Sequence, residues 1–269
     1  MKEQMTKIMD AFHKYNVENM AEYVFGFDRN IVYDALVVAP AYTPYKLGLN
    51  KFGEVYTLYE GAYIGGYLLI INDLKIAWVK TAASDTNLID HMAICAELNF
   101  NKMIFVGAVG ALKGEFELGD ICTPQYSIAG GAAHFYLKES IKEYIPFEKV
   151  YPNDTNFIKK IAYIESEKGF EIKTATVFCT PSVSLEYLHL NEIKEFDTDL
   201  IEMETAAFYL MADLIEVPSI ALLVVSDNSA SGVALVGRNE EQQKKYDESR
   251  KVILPNMIID IASLREEEF

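Results

Sequence analysis

Met103-Ile104-Phe105-Val106-Gly107-Ala108-Val109-Gly110-Ala111-Leu112 decides how the rest of the chain is read. An apolar, β-branched run that reaches two glycines predicts a buried strand over 102–106 and a tight glycine turn after it. Just upstream, Leu88, Met92, Cys95 and Leu98 recur at helical spacing, which predicts a helix over 87–100. A buried strand over 34–39 precedes both, so the order is the strand, helix, strand grammar of a parallel sheet.

Outward from this unit the signals alternate. The 34–39 strand runs into Pro40 and Pro44, which break it into a loop at its carboxyl end. Residues 54–80 carry the alternation of an antiparallel meander, with strands over 56–59, 67–71 and 76–79 and Asn72-Asp73 as a turn. Downstream come a strand over 118–129, a helix over 153–168, a strand over 172–179 and a helix over 202–215. The very apolar strand 218–226 follows, then a closing helix over 240–264 that turns Val252, Met257 and Ile261 inward. At the other end Met5, Ile8, Met9 and Phe12 mark an N-terminal helical extension within 1–30. Without linker, repeat or low-complexity segment, the expectation is one domain over 1–269, a three-layer α/β/α sandwich with a central mixed sheet. Ligands of such sheets collect beyond the strands' carboxyl ends, here the loops after Ala39, Val79, Val106, Cys179 and Val225.

Forty acidic residues against 24 basic ones give a net charge of −16, which opposes a phosphate polymer or an anionic membrane surface. Nucleic acid and membrane are therefore not expected partners. The apolar runs 68–71 and 220–225 fall far short of the roughly 20 residues of a membrane span. The amino terminus has no continuous apolar core of a signal peptide, so a cytoplasmic location is expected. Cys95, Cys122 and Cys179 are odd in number and widely spaced, as buried free thiols are. His13, His91, His134 and His189 form no HxH or HxxxH pair, so neither a metal nor any other cofactor is expected.

Three segments hold small or polar residues where chemistry is feasible: Gly107–Gly110, Ile201-Glu202-Met203-Glu204 and Ser226-Asp227-Asn228. Each alone has a bland reading, as a tight turn, an acidic helix start or a cap. In this order, with Leu118-Gly119-Asp120-Ile121 between the first two and Thr205-Ala206-Ala207 after Glu204, they resemble the nucleoside phosphorylase-I superfamily over residues 34–262. That superfamily holds purine nucleoside phosphorylases, uridine phosphorylases and methylthioadenosine/adenosylhomocysteine nucleosidases. The resemblance implies that Glu204 accepts hydrogen bonds from the ribose hydroxyls while Met203 packs on the sugar. It also implies that Glu202, Ser226, Gly107 and Ala108 border the substrate and that Asp227 protonates purine N7. Arg238 matches the cation that closes over the aspartate, and Phe178 or Tyr187 the ring that stacks on the base. Uridine phosphorylases lack the aspartate, so the resemblance implies purine nucleosides as substrates. It further implies a homodimer or hexamer, for which the tyrosine-rich 56–67 region would supply an interface.

The pattern departs from the family at the second substrate. An arginine is expected before the first glycine of the 107 motif and a hydroxyl residue after it; Phe105 and Ala108 stand there. The chain has only four arginines, at 29, 238, 250 and 265, and Lys46 stands where another is expected after the Pro40 loop. A phosphate dianion favours bidentate guanidinium contacts, so Lys46, Lys80 and Ser84 remain as its candidate ligands. Phosphorolysis to ribose 1-phosphate is the first expectation. Hydrolysis, with Glu60 or Asp85 as base for water, is the alternative, and a nucleoside-binding relative without turnover is a third reading that the retained Asp227 opposes.

Overall fold

A computed structural model describes residues 1–16 and 19–265; of the expected domain 1–269, residues 17, 18 and 266–269 lie outside the described residues. The chain begins with α1 (Glu3–His13) and α2 (Met20–Phe25), then β1 (Val32–Tyr33) and β2 (Ala35–Pro40). The meander follows as β3 (Glu54–Glu60), β4 (Gly65–Ile71) and β5 (Leu74–Thr81). Next come α3 (Asp85–Cys95), β6 (Asn99–Phe100), β7 (Met103–Ala111), β8 (Ile121–Ala129), β9 (Glu148–Val150) and α4 (Thr155–Glu167). The last part is β10 (Ile172–Cys179), α5 (Val183–Glu186), α6 (Leu190–Lys194), β11 (Leu200–Glu202), α7 (Thr205–Ile215), β12 (Ser219–Asn228), α8 (Glu240–Glu248) and α9 (Leu254–Ser263).

The main sheet is mixed. β3, β4 and β5 are antiparallel neighbours, β2 lies parallel to both β5 and β7, and β12 lies parallel to β7. β8 joins β12 antiparallel and carries β10 parallel to itself. β11 then pairs with β10 on one side and with β7 on the other. The sandwich is therefore open at the meander and closed into a ring of β7, β12, β8, β10 and β11 at its other end. Alternation along wholly buried β2 shows how the layers form. Leu36 and Val38 face a core shared with Met5, Phe25, Met92 and Phe208, while Val37 and Ala39 face one shared with Phe157, Met257 and Ile261. Each such side chain contributes about 1.5–3 kcal/mol by burial.

Several expected boundaries are corrected. β7 does not stop at Val106 but runs straight through Gly107 and Gly110, neither of which has a positive φ. Space, not a turn, is what these glycines supply: a Cβ on Gly107 would lie 2.8 Å from the Phe105 ring. The turn sits instead at Gly119, φ +88°, so the strand expected from 118 starts at Ile121. α3 stops at Cys95 and residues 99–100 pair with β1. The helix expected from 202 starts at Thr205, because Leu200–Glu202 is sheet. The closing helix is broken by a π-helical turn over Ser249–Ile253, just before Pro255, whose missing N–H removes a helical bond. Cys95, Cys122 and Cys179 are buried free thiols, and among the described residues no helix is long and apolar enough to cross a membrane.

One buried carboxyl gives a stability prediction. Glu165 in α4 is 1% exposed, and among the described residues neither of its oxygens has a hydrogen-bond partner. Burial, and then the neighbouring Asp260 charge, push it up to about 7, although Lys168 lies 3.8 Å away. An acid raised from 4.5 favours folding most below its unfolded value, and that advantage is lost as pH rises from about 4.5 to 7. Glu165→Gln is expected to be more stable than the parent at pH 8 by on the order of 2 kcal/mol, and equal to it near pH 4. Urea unfolding at the two pH values checks this, and a variant no more stable at pH 8 would contradict it.

Candidate active site

Strand β12 carries the buried apolar run Ile220–Val225 up to the site. It pairs in register with β7 up to Val225 opposite Val109; the next pair is Asp227 opposite Gly110, so Ser226 is an extra residue in a β-bulge. A bulge re-aims the side chain that follows it, and the carboxylate of Asp227 lies against Gly110, where a Cβ would stand 2.9 Å from Oδ2. Ser226 Oγ donates to Asp227 Oδ1 at 2.6 Å. Arg238 Nε donates to the Ser226 carbonyl at 2.8 Å while its guanidinium lies over the Tyr246 ring, so the cation sits behind the aspartate. Burial raises the Asp227 carboxyl above its usual range; the Ser226 hydrogen bond and the Arg238 charge oppose that rise.

Gly110 also pairs across the sheet with Ile201 of β11, which leads into the second carboxylate pair. Glu202 and Glu204 have different employment. Glu202 is filled by its own chain: it accepts the Glu204 amide at 2.7 Å, the Thr205 amide at 3.0 Å and hydroxyl at 2.8 Å, and the Cys179 thiol at 2.9 Å. Burial raises its carboxyl, and these donors oppose the rise. Its oxygens thus cap the start of α7, and Glu202 borders the cleft described below as well. Glu204 is 5% exposed, and its Oε1 has no hydrogen-bond partner among the described residues. Burial and then the charges of Glu202 and Asp85 push its carboxyl well above the usual range. A buried acceptor left unsatisfied costs about 1–3 kcal/mol, which a ligand's donor would recover.

Glu204 and Asp227 border one cleft of about 390 Å³, together with Met203, Gly107, Ala108 and Tyr187. The fold brings these expected residues to one cleft and places others elsewhere. Phe178 belongs elsewhere: 4% exposed, it stacks with Phe147 and Phe196 and lines an adjoining pocket. Lys46 Nζ donates to the Ala41 carbonyl, and Lys80 Nζ donates to the carbonyls of Gly61 and Ala62 at 3.0 and 3.1 Å. Ser84 caps α3 by accepting from the Asn87 amide. None of these three borders the cleft, because the lysine heads satisfy carbonyls that tight loops leave open. One residue was missed. Glu186, at the end of four-residue α5, lines the cleft and is pushed up to about 7 by burial and then by Asp227. Its only sequence signal was Pro181-Ser182, where the Ser182 hydroxyl caps the helix.

The family model described as the phosphorylase superfamily matches residues 43–254. The chain belongs to the phosphorylase superfamily. Within that superfamily it is 26% identical over 162 residues to the DeoD-type purine nucleoside phosphorylases of Anoxybacillus flavithermus and Geobacillus stearothermophilus, matching 60% of this chain and 65% of each relative. The match thus spans a little under two thirds of those relatives' length. Among solved structures, a Vibrio fischeri uridine phosphorylase superposes with a TM-score of 0.68 at 16% identity, over 88% of this chain and 93% of that one. A Campylobacter jejuni 5′-methylthioadenosine/S-adenosylhomocysteine nucleosidase gives 0.66 at 16%, over 84% and 97%. An AMP nucleosidase from Bacteroides thetaiotaomicron gives 0.65 at 18%, over 94% and 98%. At these identities the phosphorylase-superfamily likeness is one of fold, and it covers both phosphorylases and nucleosidases.

Proposed function

We propose that this protein cleaves the N-glycosidic bond of purine ribonucleosides. The observation that carries the reading is the unpartnered, buried Glu204 Oε1 in the same cleft as the half-buried Asp227. Departure of a purine leaves positive charge on the ribose and negative charge on the base, and a carboxylate and an acid answer these in turn. Ribose hydroxyls donate to Glu204, lower its raised pKa and leave it ionised beside the developing oxocarbenium. Asp227, whose carboxyl burial raises above its usual range, delivers a proton to N7 and makes the base a better leaving group.

For the acceptor, the geometry favours water. Lys46 and Lys80 hold backbone carbonyls and Ser84 holds a helix start, so the groups considered for phosphate are otherwise engaged. Of the two candidate bases, Asp85 is close enough to Glu204 to raise its pKa, whereas Glu60 lies at the exposed end of β3. Phosphorolysis is the second reading, favoured by the sequence match to phosphorylases. Release of free base from inosine, adenosine, guanosine, methylthioadenosine and uridine, with and without phosphate, tests both. Free ribose without phosphate is expected; strict phosphate dependence with ribose 1-phosphate as product would reverse the choice of acceptor. Absence of release from every substrate would sink the enzymatic reading.

A further inference from the structure

Beside the cleft lies a second pocket, of about 360 Å³. Thr180 and Glu186 belong to the walls of both, so the two spaces adjoin. The second is floored by three rings: Phe147 lies 4.7 Å from Phe196 and 6.1 Å from Phe178 between centroids, and Phe178 lies 5.2 Å from Phe196. Leu185 and Ile193 complete an apolar wall. Such a space favours a flat or branched apolar group with one polar handle at its mouth.

Purine chemistry says what would reach it. N7 and the substituent on C6 flank the same edge of the bicycle, so an acid that faces N7 has the 6-substituent beside it. Asp227 shares its cleft with Glu186, whose carboxyl feels the Asp227 charge. We propose that the second pocket receives an apolar group carried on the exocyclic 6-nitrogen of the purine, with Glu186 accepting the remaining N–H. On this assignment, which rests on the purine nucleoside reading above, N6-alkyl and N6-aralkyl adenosines are better substrates than adenosine. Glu186 borders both spaces, and a carboxyl oxygen accepts such an N–H.

The test compares kcat/KM for adenosine, N6-benzyladenosine and N6-benzyl-N6-methyladenosine, the last of which has no N–H. The parent is expected to favour N6-benzyladenosine over adenosine on the order of tenfold, the size of effect an added apolar group has in a fitting pocket. Leu185→Asp, at a position 62% exposed and therefore tolerant of change, is expected to bring that ratio to about one. Glu186→Gln is expected to shrink the difference between the secondary and the tertiary amine. A parental ratio at or below one, or a ratio that Leu185→Asp leaves intact, would overturn the assignment. Calorimetric binding of adenine and 6-benzylaminopurine separates it from the reading beneath: if no nucleoside is cleaved, that reading fails, while preferential binding of the benzylated base supports the pocket and equal binding removes it.

Discussion

Replacing Asp227 with alanine is expected to lower kcat on purine nucleosides by roughly 10²–10⁴-fold, the usual worth of a positioned general acid, with only a modest change in KM. The reason is local. The carboxyl is held above its usual range by burial at the end of β12, and among the described residues the only hydrogen bond it receives comes from Ser226. A general acid works in its protonated form, so the parent's kcat should be full below the folded pKa of Asp227 and fall as pH rises through it. Asp227→Asn keeps the shape and the Ser226 contact but has no proton to give, so the alkaline limb should vanish along with most of the rate. A near-parental kcat in either variant would remove Asp227 from the chemistry.

The second large effect concerns Glu204. The parent is expected to prefer ribosides to 2′-deoxyribosides by about 10- to 100-fold, the worth of one hydrogen bond to a charged group, and Glu204→Ala should abolish most of that preference. Its stability should move the other way. A buried carboxyl with an unpartnered oxygen beside Glu202 and Asp85 is a burden on the empty protein, so Glu204→Gln is expected to raise Tm while activity falls. A riboside preference that survives both substitutions would count against the contact with the sugar.

What the residues revealed in advance follows from how each signal arises. Strands such as β2 and β12 were legible because burial on both faces leaves an unbroken apolar run. The glycines of β7 were legible as positions but not in purpose, since a glycine that makes room and one that turns the chain look alike in sequence. Lys80 misled for a related reason: a lysine after a buried strand resembles an anion ligand until its ammonium is seen on two loop carbonyls. Glu202 and Glu204 are chemically identical letters two apart. Both border the cleft, and only the register of β11 decides that the first also caps a helix while an oxygen of the second is left without a partner among the described residues. Glu186 was out of reach because a single turn of helix has no periodicity to read, and the ring closure because β11 is only three residues long.

That short strand has a further consequence. Gly110 is the cross-strand partner of Ile201 on one side and of Asp227 on the other. The segment that leads to Glu204 and the one that carries Asp227 are thus held two strand spacings apart, about 10 Å. Sheet spacing is among the least adjustable dimensions of a protein. The distance between these two carboxylate-bearing segments is therefore a gauge cut into the backbone, which surrounding loops can redecorate without ever resetting.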